Sequence, residues 1–134
     1  MIKVTEGIYR GPYLEIITSQ LGLKSILNLQ THGDTEELEQ CYRHGIALYD
    51  FDVFGMWVPN IDDMRLALLI MQDPKTHPLY VHCTHGRERT GLLCALYRIH
   101  IQQWELDIAH SEMVKLGGRW THRWMLKYLS ERVI

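Results

Sequence analysis

The sequence is poor in cysteine, and its three cysteines do not form paired motifs. They are Cys41, Cys83 and Cys94 among 134 residues. An odd, low count without paired spacing argues against a disulfide framework. Free thiols persist in a reducing compartment. We therefore expect a cytoplasmic protein in which any reactive cysteine stays usable.

Long apolar runs and an excess of basic residues are also missing. No apolar stretch approaches the ~20 residues that span a bilayer, and residues 1–6 lack the apolar core of a signal peptide. Lys and Arg total 14 against 16 Asp and Glu, which gives a net charge of -2 and a pI near 6.4. Nucleic-acid-binding domains are usually basic. We expect neither membrane insertion nor a nucleic-acid partner.

The chain has no linker, repeat or low-complexity segment. Its length and its hydrophobic content of 46% are those of one globular domain with one core. We therefore predict a single domain over residues 1–134.

The pattern that is present alternates strands with helices. Strands are predicted at 8–10, 25–29, 46–53 and 79–82, and helices at 13–21, 34–44, 61–73, 92–101, 105–116 and 121–132. Asp34 and Glu37 form a capping-box pattern, and Asn60 precedes a helix with acids in its first turn. This alternation predicts an α/β fold, with a central, mostly parallel sheet of about four to five strands flanked by helices.

The most informative segment is Val81–Gly91, which reads as strand, tight loop and helix. Cys83 lies six positions before Arg89, and Thr90 and Gly91 follow. Free N–H groups and the dipole at a helix N-terminus favour anions and thiolates. We assign Cys83 as nucleophile and Arg89 as a planar fork for phosphoryl oxygens. Thr90 would donate a hydrogen bond to the sulfur.

The loop itself should form the substrate cradle through its backbone N–H groups, with Gly86 allowing the turn. The predicted substrate-binding residues are Thr84, His85, Gly86, Arg87, Glu88 and Arg89. Arg87 would attract an anionic substrate, whereas Glu88 would partly offset it.

The run His82-Cys83-x5-Arg89-Thr90 resembles the signature of the cysteine-dependent protein tyrosine phosphatases, in particular the small, atypical dual-specificity branch. The segments 7–11 and 21–29 are similar to the opening of those enzymes. The resemblance implies a phosphocysteine intermediate that water hydrolyses, without a metal or cofactor. It implies a phosphorylated protein or a small phosphate ester as substrate, with phosphotyrosine first and phosphoserine or phosphothreonine second.

In similar enzymes an Asp about thirty residues before the Cys is the general acid. Asp52 lies 31 positions before Cys83, and Asp50 is the fallback. The apolar residues that follow, Phe54, Met56 and Trp57, would form either a lid over the substrate or part of the core. Asp62 and Asp63 are interpreted as helix caps.

Other interpretations stay open at this point. The loop also resembles that of RNA 5′-triphosphatases of capping enzymes, and inositol phosphates or phosphoinositides are an alternative substrate class. A non-catalytic phosphate-binding module is a further alternative. Rhodanese-type sulfurtransferases use a shorter cysteine loop. His82 is interpreted as structural, and the basic residues Lys115, Arg119, Arg123 and Lys127 as a solvated helix face.

Overall fold

The computed structural model describes residues 1–13, 22–30, 35–51, 58–85 and 87–133. The strands are β1 (Ile2–Thr5), β2 (Ile8–Pro12), β3 (Ser25–Asn28), β4 (Ala47–Asp50) and β5 (Leu79–Cys83). The helices are α1 (Thr35–His44), α2 (Ile61–Gln72), α3 (Glu88–His100), α4 (Leu106–Lys115) and α5 (Arg123–Ser130). Short 3-10 turns lie at Pro74–Thr76 and Trp120–His122.

The strands form one sheet in the order β1-β2-β5-β3-β4. β2, β5, β3 and β4 are parallel, and β1 pairs with β2 in antiparallel fashion. The predicted fold class is confirmed. The central position of β5 places its carboxyl end, Cys83, in the middle of the sheet edge where ligands bind in such folds.

Helices cover both faces of the sheet. Leu79 and Val81 of β5 belong to the main core with α2, α3, α4 and α5, whereas Tyr80 packs in a smaller cluster with Cys41 of α1. Successive side chains of a strand point to opposite faces. α3 is buried over most of its length because it packs against the sheet as well as against α4 and α5. None of the described helices is long and apolar enough to span a bilayer.

The structure differs from the sequence-based prediction at several boundaries. β1 was not predicted, since it is an edge strand with Ile2 and Lys3 exposed. α3 begins at Glu88 rather than at Leu92, because the polar end of the loop already forms its first turn. The 3-10 turn delays α5 to Arg123. The predicted helix 13–21 lies almost entirely outside the described residues, and β4 ends at Asp50, just before the undescribed residues 52–57.

Two predicted helix starts have different outcomes. Asn60 is confirmed as the N-cap of α2, because its Oδ1 accepts from the N–H groups of Asp62 at 2.9 Å and Asp63 at 3.1 Å. Glu37 instead directs its carboxylate to the side chain of His82, so the capping-box interpretation is wrong for this residue. Asp34, its predicted partner, lies outside the described residues.

Candidate active site

Cys83 is at the base of a small cavity beyond the end of β5. The cavity has a volume of about 190 Å³ and is lined by Cys83, His85, Arg87, Glu88, Arg89 and Gly117. Five of these six residues are ones that the sequence predicted for the site. Thr84 is exposed in the same loop, and Gly86 lies outside the described residues. The cysteine side chain is buried, which limits its contact with solvent to the cavity.

The N-terminus of α3 faces this loop without a capping side chain among the described residues. Its N-cap residue, Arg87, forms no side-chain cap hydrogen bond, and the Arg87 carbonyl accepts from Gly91 N at 3.0 Å. The first N–H groups of a helix have no intrahelical partner, and together with the helix dipole they favour an anion. The sequence therefore folds into an anion-binding helix start beside the thiol.

Arg89, in the first turn of α3, is held from two sides. Its Nη1 donates to the carbonyl oxygen of Leu29, just after β3, and its Nη2 donates to Oγ1 of Thr84, both at 3.3 Å. These long contacts orient the guanidinium plane, and a half-buried planar fork of this kind suits two oxygens of a phosphoryl group. The backbone just after β3 thus positions Arg89, the residue predicted to bind the phosphoryl group.

Thr90 follows with a fully buried side chain. Within the described part of the chain, its Oγ1 has no hydrogen-bond partner. A buried hydroxyl without a hydrogen-bond partner costs about 1–3 kcal/mol of folding stability, a cost that a role in the reaction would explain. The hydroxyl forms no hydrogen bond to the sulfur of Cys83 in this structure, so donation to the thiolate during the reaction stays a prediction.

The rim of the cavity includes residues from the segment between α4 and α5. Arg119 precedes the 3-10 turn at Trp120–His122 rather than lying on a helix face, and although exposed, its Nε donates to Oε1 of Glu88 at 2.9 Å. Gly117 adopts a φ of +105°, and a Cβ there would lie 3.0 Å from Cγ and Cδ of Arg87. Sequence analysis missed both residues as site residues, because only the tertiary fold brings them to the loop.

His82, next to the nucleophile, is completely buried. Its Nε2 lies 2.7 Å from Oε2 of Glu37, and its Nδ1 lies 3.2 Å from the carbonyl oxygen of Cys83. The structural interpretation of His82 agrees with these contacts. Glu37 is a further residue that sequence spacing did not connect with the site.

The structure describes one of the two candidates for the general acid, Asp50. Asp50 ends β4, and its Oδ1 accepts from Nδ2 of Asn28 at 2.7 Å. β4 is two strands away from β5, which corresponds to about 10 Å. Asp50 is therefore poorly placed to reach a leaving group above Cys83. Asp52 and the apolar residues Phe54, Met56 and Trp57 lie outside the described residues.

The remaining cysteines differ from Cys83 in their surroundings. Burial raises the pKa of Cys41 to about 11, and burial also raises the pKa of Cys94. Both therefore remain protonated thiols at neutral pH, as expected for small buried hydrophobes. Across the described ranges, no cluster of three or more His, Cys, Asp or Glu could hold a metal ion.

A parallel α/β sheet that presents a cysteine, an uncapped helix start and an arginine fork at one edge defines the class of cysteine-dependent phosphatases. The model of the tyrosine phosphatase family matches residues 2–129. This chain belongs to that family, and the predicted resemblance is confirmed.

Relatives and solved structures refine this placement. The chain is 31% identical over 130 residues to inositol diphosphatase DSP5 of Arabidopsis thaliana, a match that covers 90% of this chain and 63% of that protein. It is 33% identical over 119 residues to inositol diphosphatase SIW14 of Saccharomyces cerevisiae, covering 81% and 42%. This chain spans 55–64% of the length of the plant inositol diphosphatases DSP5, DSP1 and DSP3.

The fold comparison agrees. The core catalytic domain of the PP-IP phosphatase SIW14 from S. cerevisiae, in complex with citrate, superposes with a TM-score of 0.81 at 27% identity. That match covers 93% of this chain and 82% of that one. Pseudomonas aeruginosa TpbA shares the fold, with a TM-score of 0.73 at 22% identity.

Proposed function

We propose that this chain is a cysteine-dependent phosphatase that removes the terminal phosphoryl group of inositol diphosphates. The observation that carries the phosphatase chemistry is the cavity that unites the Cys83 thiol, the uncapped start of α3 and the fork of Arg89. The substrate class is supported by relatives named inositol diphosphatases, at 31–32% identity over most of this chain. On this ground we rank inositol diphosphates above phosphotyrosine, which the resemblance of the loop sequence placed first.

The reaction would proceed in two displacements. The Cys83 thiolate attacks the terminal phosphorus, an S–P bond forms, and the P–O bond to the leaving group breaks. Arg89 and the N–H groups of the loop stabilise the charge on the equatorial oxygens. Water then attacks the phosphocysteine, the S–P bond breaks, and inorganic phosphate and the thiolate are released. Asp52 is proposed as the acid that protonates the leaving oxygen and then activates the water.

The rim of the cavity suits a substrate with several phosphates. A cavity of about 190 Å³ is smaller than the usual site for a drug-sized ligand, so it holds one phosphoryl group while the rest of the substrate lies on the rim. The rim carries His85 and Arg87, both exposed. Glu88 counted against a highly charged substrate in the sequence, but its ion pair with Arg119 offsets that negative charge.

Phosphotyrosine is the second candidate substrate. The chain is 37% identical over 61 residues to the dual specificity protein phosphatase TpbA of P. aeruginosa, a match that covers 43% of this chain. The shared chemistry of the loop supports phosphoryl transfer from either substrate. The two candidate substrates differ in the part of the molecule that must contact the rim of the cavity.

A substrate panel tests the proposal. Phosphate release is measured with a chelator present from an inositol diphosphate, an inositol polyphosphate without a diphosphate, a phosphotyrosine peptide, a phosphothreonine peptide and triphosphate-ended RNA. We expect the highest kcat/KM on the inositol diphosphate, and Cys83→Ser should lower it at least ~10³-fold while phosphate or vanadate still binds. A higher kcat/KM on phosphotyrosine would reverse the substrate ranking. Full activity of Cys83→Ser would refute the mechanism.

The role of Asp52 can be tested through the leaving group. A phenolate leaving group has a pKa of about 10, whereas the phosphate released from an anhydride has a second pKa of about 6. A poor leaving group needs protonation more. Asp52→Asn should therefore reduce kcat/KM, which reports only the steps up to release of the leaving group, much more for phosphotyrosine than for an inositol diphosphate, and Asp50→Asn should reduce neither. Equal losses on both substrates would contradict the assignment of Asp52 as acid.

A further inference from the structure

A buried carboxylate lies behind the nucleophile, on the far face of the sheet. Glu37 of α1 is 2% exposed, and its Oε2 lies 2.7 Å from Nε2 of His82, whose side chain has no exposed surface. A buried charge is costly unless it is paired. Glu37 thus contacts His82, and His82 in turn contacts the backbone carbonyl of Cys83.

The protons of this pair follow from the atoms that face each other. The carbonyl oxygen of Cys83 can only accept, so His82 Nδ1 must carry the hydrogen in that contact. The Cys83 carbonyl thus selects Nδ1 as the donor, while Glu37 Oε2 holds the ring from the other side through Nε2. Glu37 thereby helps to keep the ring in the orientation in which Nδ1 reaches the Cys83 carbonyl.

Both peptide groups around the nucleophile are held in this way. The carbonyl of His82 accepts from Leu29 N at 2.8 Å, which joins the end of β5 to β3. The carbonyl of Cys83 accepts from the side chain of His82 on the face covered by α1. The sulfur itself packs with the main core on the opposite face. The direction in which Cys83 leaves the strand therefore depends on the orientation of the His82 ring, which Glu37 holds from α1 and which two tyrosine rings also contact.

We propose that Glu37 is a positioning residue, which sets the geometry of the Cys83 sulfur and of the first loop N–H groups by fixing the orientation of the His82 ring. This inference rests on the proposed role of Cys83 as nucleophile. The effect of Glu37 on Cys83 then depends on the length of its side chain and not on its charge. A glutamine can take the same place, because its amide N–H donates to Nε2 while Nδ1–H still donates to the Cys83 carbonyl.

Two variants of Glu37 separate the effect of side-chain length from the effect of charge. Glu37→Gln keeps the length and loses the charge, whereas Glu37→Asp keeps the charge and shortens the side chain by one methylene. A displacement of about 1 Å at a reacting group can cost up to ~10²-fold. We expect Glu37→Gln to keep kcat within threefold of the wild type, and Glu37→Asp to lower kcat about 10- to 100-fold with little change in KM.

A matched control excludes a general effect of stability. Thr76 is also buried, and its hydroxyl donates to Ile70 O and Asp73 O, both at 2.8 Å, before the start of β5. Thr76→Val therefore loses buried hydrogen bonds away from the site and should leave kcat unchanged. If Thr76→Val lowered kcat as much as Glu37→Asp at an equal loss of Tm, the positioning role would be overturned.

The rate of Cys83 alkylation by iodoacetamide gives a readout that does not need turnover. Glu37→Asp should alter this rate and weaken protection by vanadate, and Glu37→Gln should change neither. Wild-type protein without phosphatase activity would refute the proposed function, while the alkylation rates would still test Glu37. Equal kcat and alkylation rates in Glu37→Asp and wild type, or a larger loss in Glu37→Gln than in Glu37→Asp, would overturn the inference.

Discussion

Replacing Arg89 by lysine tests whether the guanidinium fork, and not only its charge, drives catalysis. The contacts of Arg89 with Leu29 O and Thr84 Oγ1 orient the plane of the fork at the mouth of the loop. Lysine keeps the positive charge but offers a single ammonium in place of two parallel donors. If two charge-assisted hydrogen bonds to the transferring group become one, the loss is about 1.5–3 kcal/mol. This corresponds to about a 10- to 150-fold decrease in kcat/KM.

The assay is kcat/KM on an aryl phosphate and on an inositol diphosphate, with unfolding monitored on the same preparations. Arg89→Ala should lose both bonds and fall by about 10²- to 10⁴-fold. Arg98→Lys is the matched control, because Arg98 lies on the same helix and forms a two-pronged ion pair with Glu112 at 2.9 and 3.1 Å. That variant should lose stability and keep its activity. The fork argument is refuted if Arg89→Lys stays within threefold of wild type.

Three further predictions follow from single contacts. Asn60→Ala removes the acceptor for two N–H groups at the start of α2, so urea denaturation should show a loss of about 1 kcal/mol in unfolding free energy, with kcat unchanged. A drop in kcat would contradict this purely structural role. Gly117→Ala places a Cβ against Arg87 at a strained φ and should raise KM for an inositol diphosphate several-fold more than for an aryl phosphate; equal effects on both substrates would argue against a rim role. Because burial raises the pKa of Cys41 to about 11, and a thiol ionises only as the pH rises through its pKa, iodoacetamide at pH 7 should label Cys83 first. Peptide mapping of the labelled protein checks this, and faster labelling of Cys41 would refute it.

The parts of the fold that sequence analysis predicted well depend on neighbours along the chain. Asn60 caps α2 because its own side chain reaches the next two backbone N–H groups. Likewise, an apolar run, a polar loop and a second apolar run place Cys83 at a strand end and Arg89 between that strand and the following helix, although the helix already begins at Glu88. Such signals are short in range, and hydrogen-bond geometry or helix periodicity fixes them locally.

The residues that sequence analysis missed reach the site through tertiary contacts. Glu37 matched a capping box, and the competing contact with His82 appears only when α1 packs against the sheet. Arg119 was grouped with the basic residues of nearby helices, but it lies in the turn that brings it to Glu88. β1 was missed because an exposed edge strand needs no apolar alternation. In each case burial or pairing in three dimensions outweighs the local pattern.

The same difference between local signals and tertiary contacts explains why the loop sequence predicts the phosphatase chemistry but not the substrate. In the proposed mechanism Cys83 and Arg89 act only on the transferring phosphoryl group, so they are equally suited to an ester and an anhydride. Discrimination must come from groups that contact the rest of the substrate, and the described residues at the rim are His85, Arg87, Glu88 and Arg119. Exposed ion pairs are worth only about 0–1 kcal/mol, so a phosphate of the substrate can replace Glu88 as the partner of Arg119 at little cost. A peptide segment without a further phosphate or carboxylate offers no such exchange, which is why we propose a multiply phosphorylated substrate.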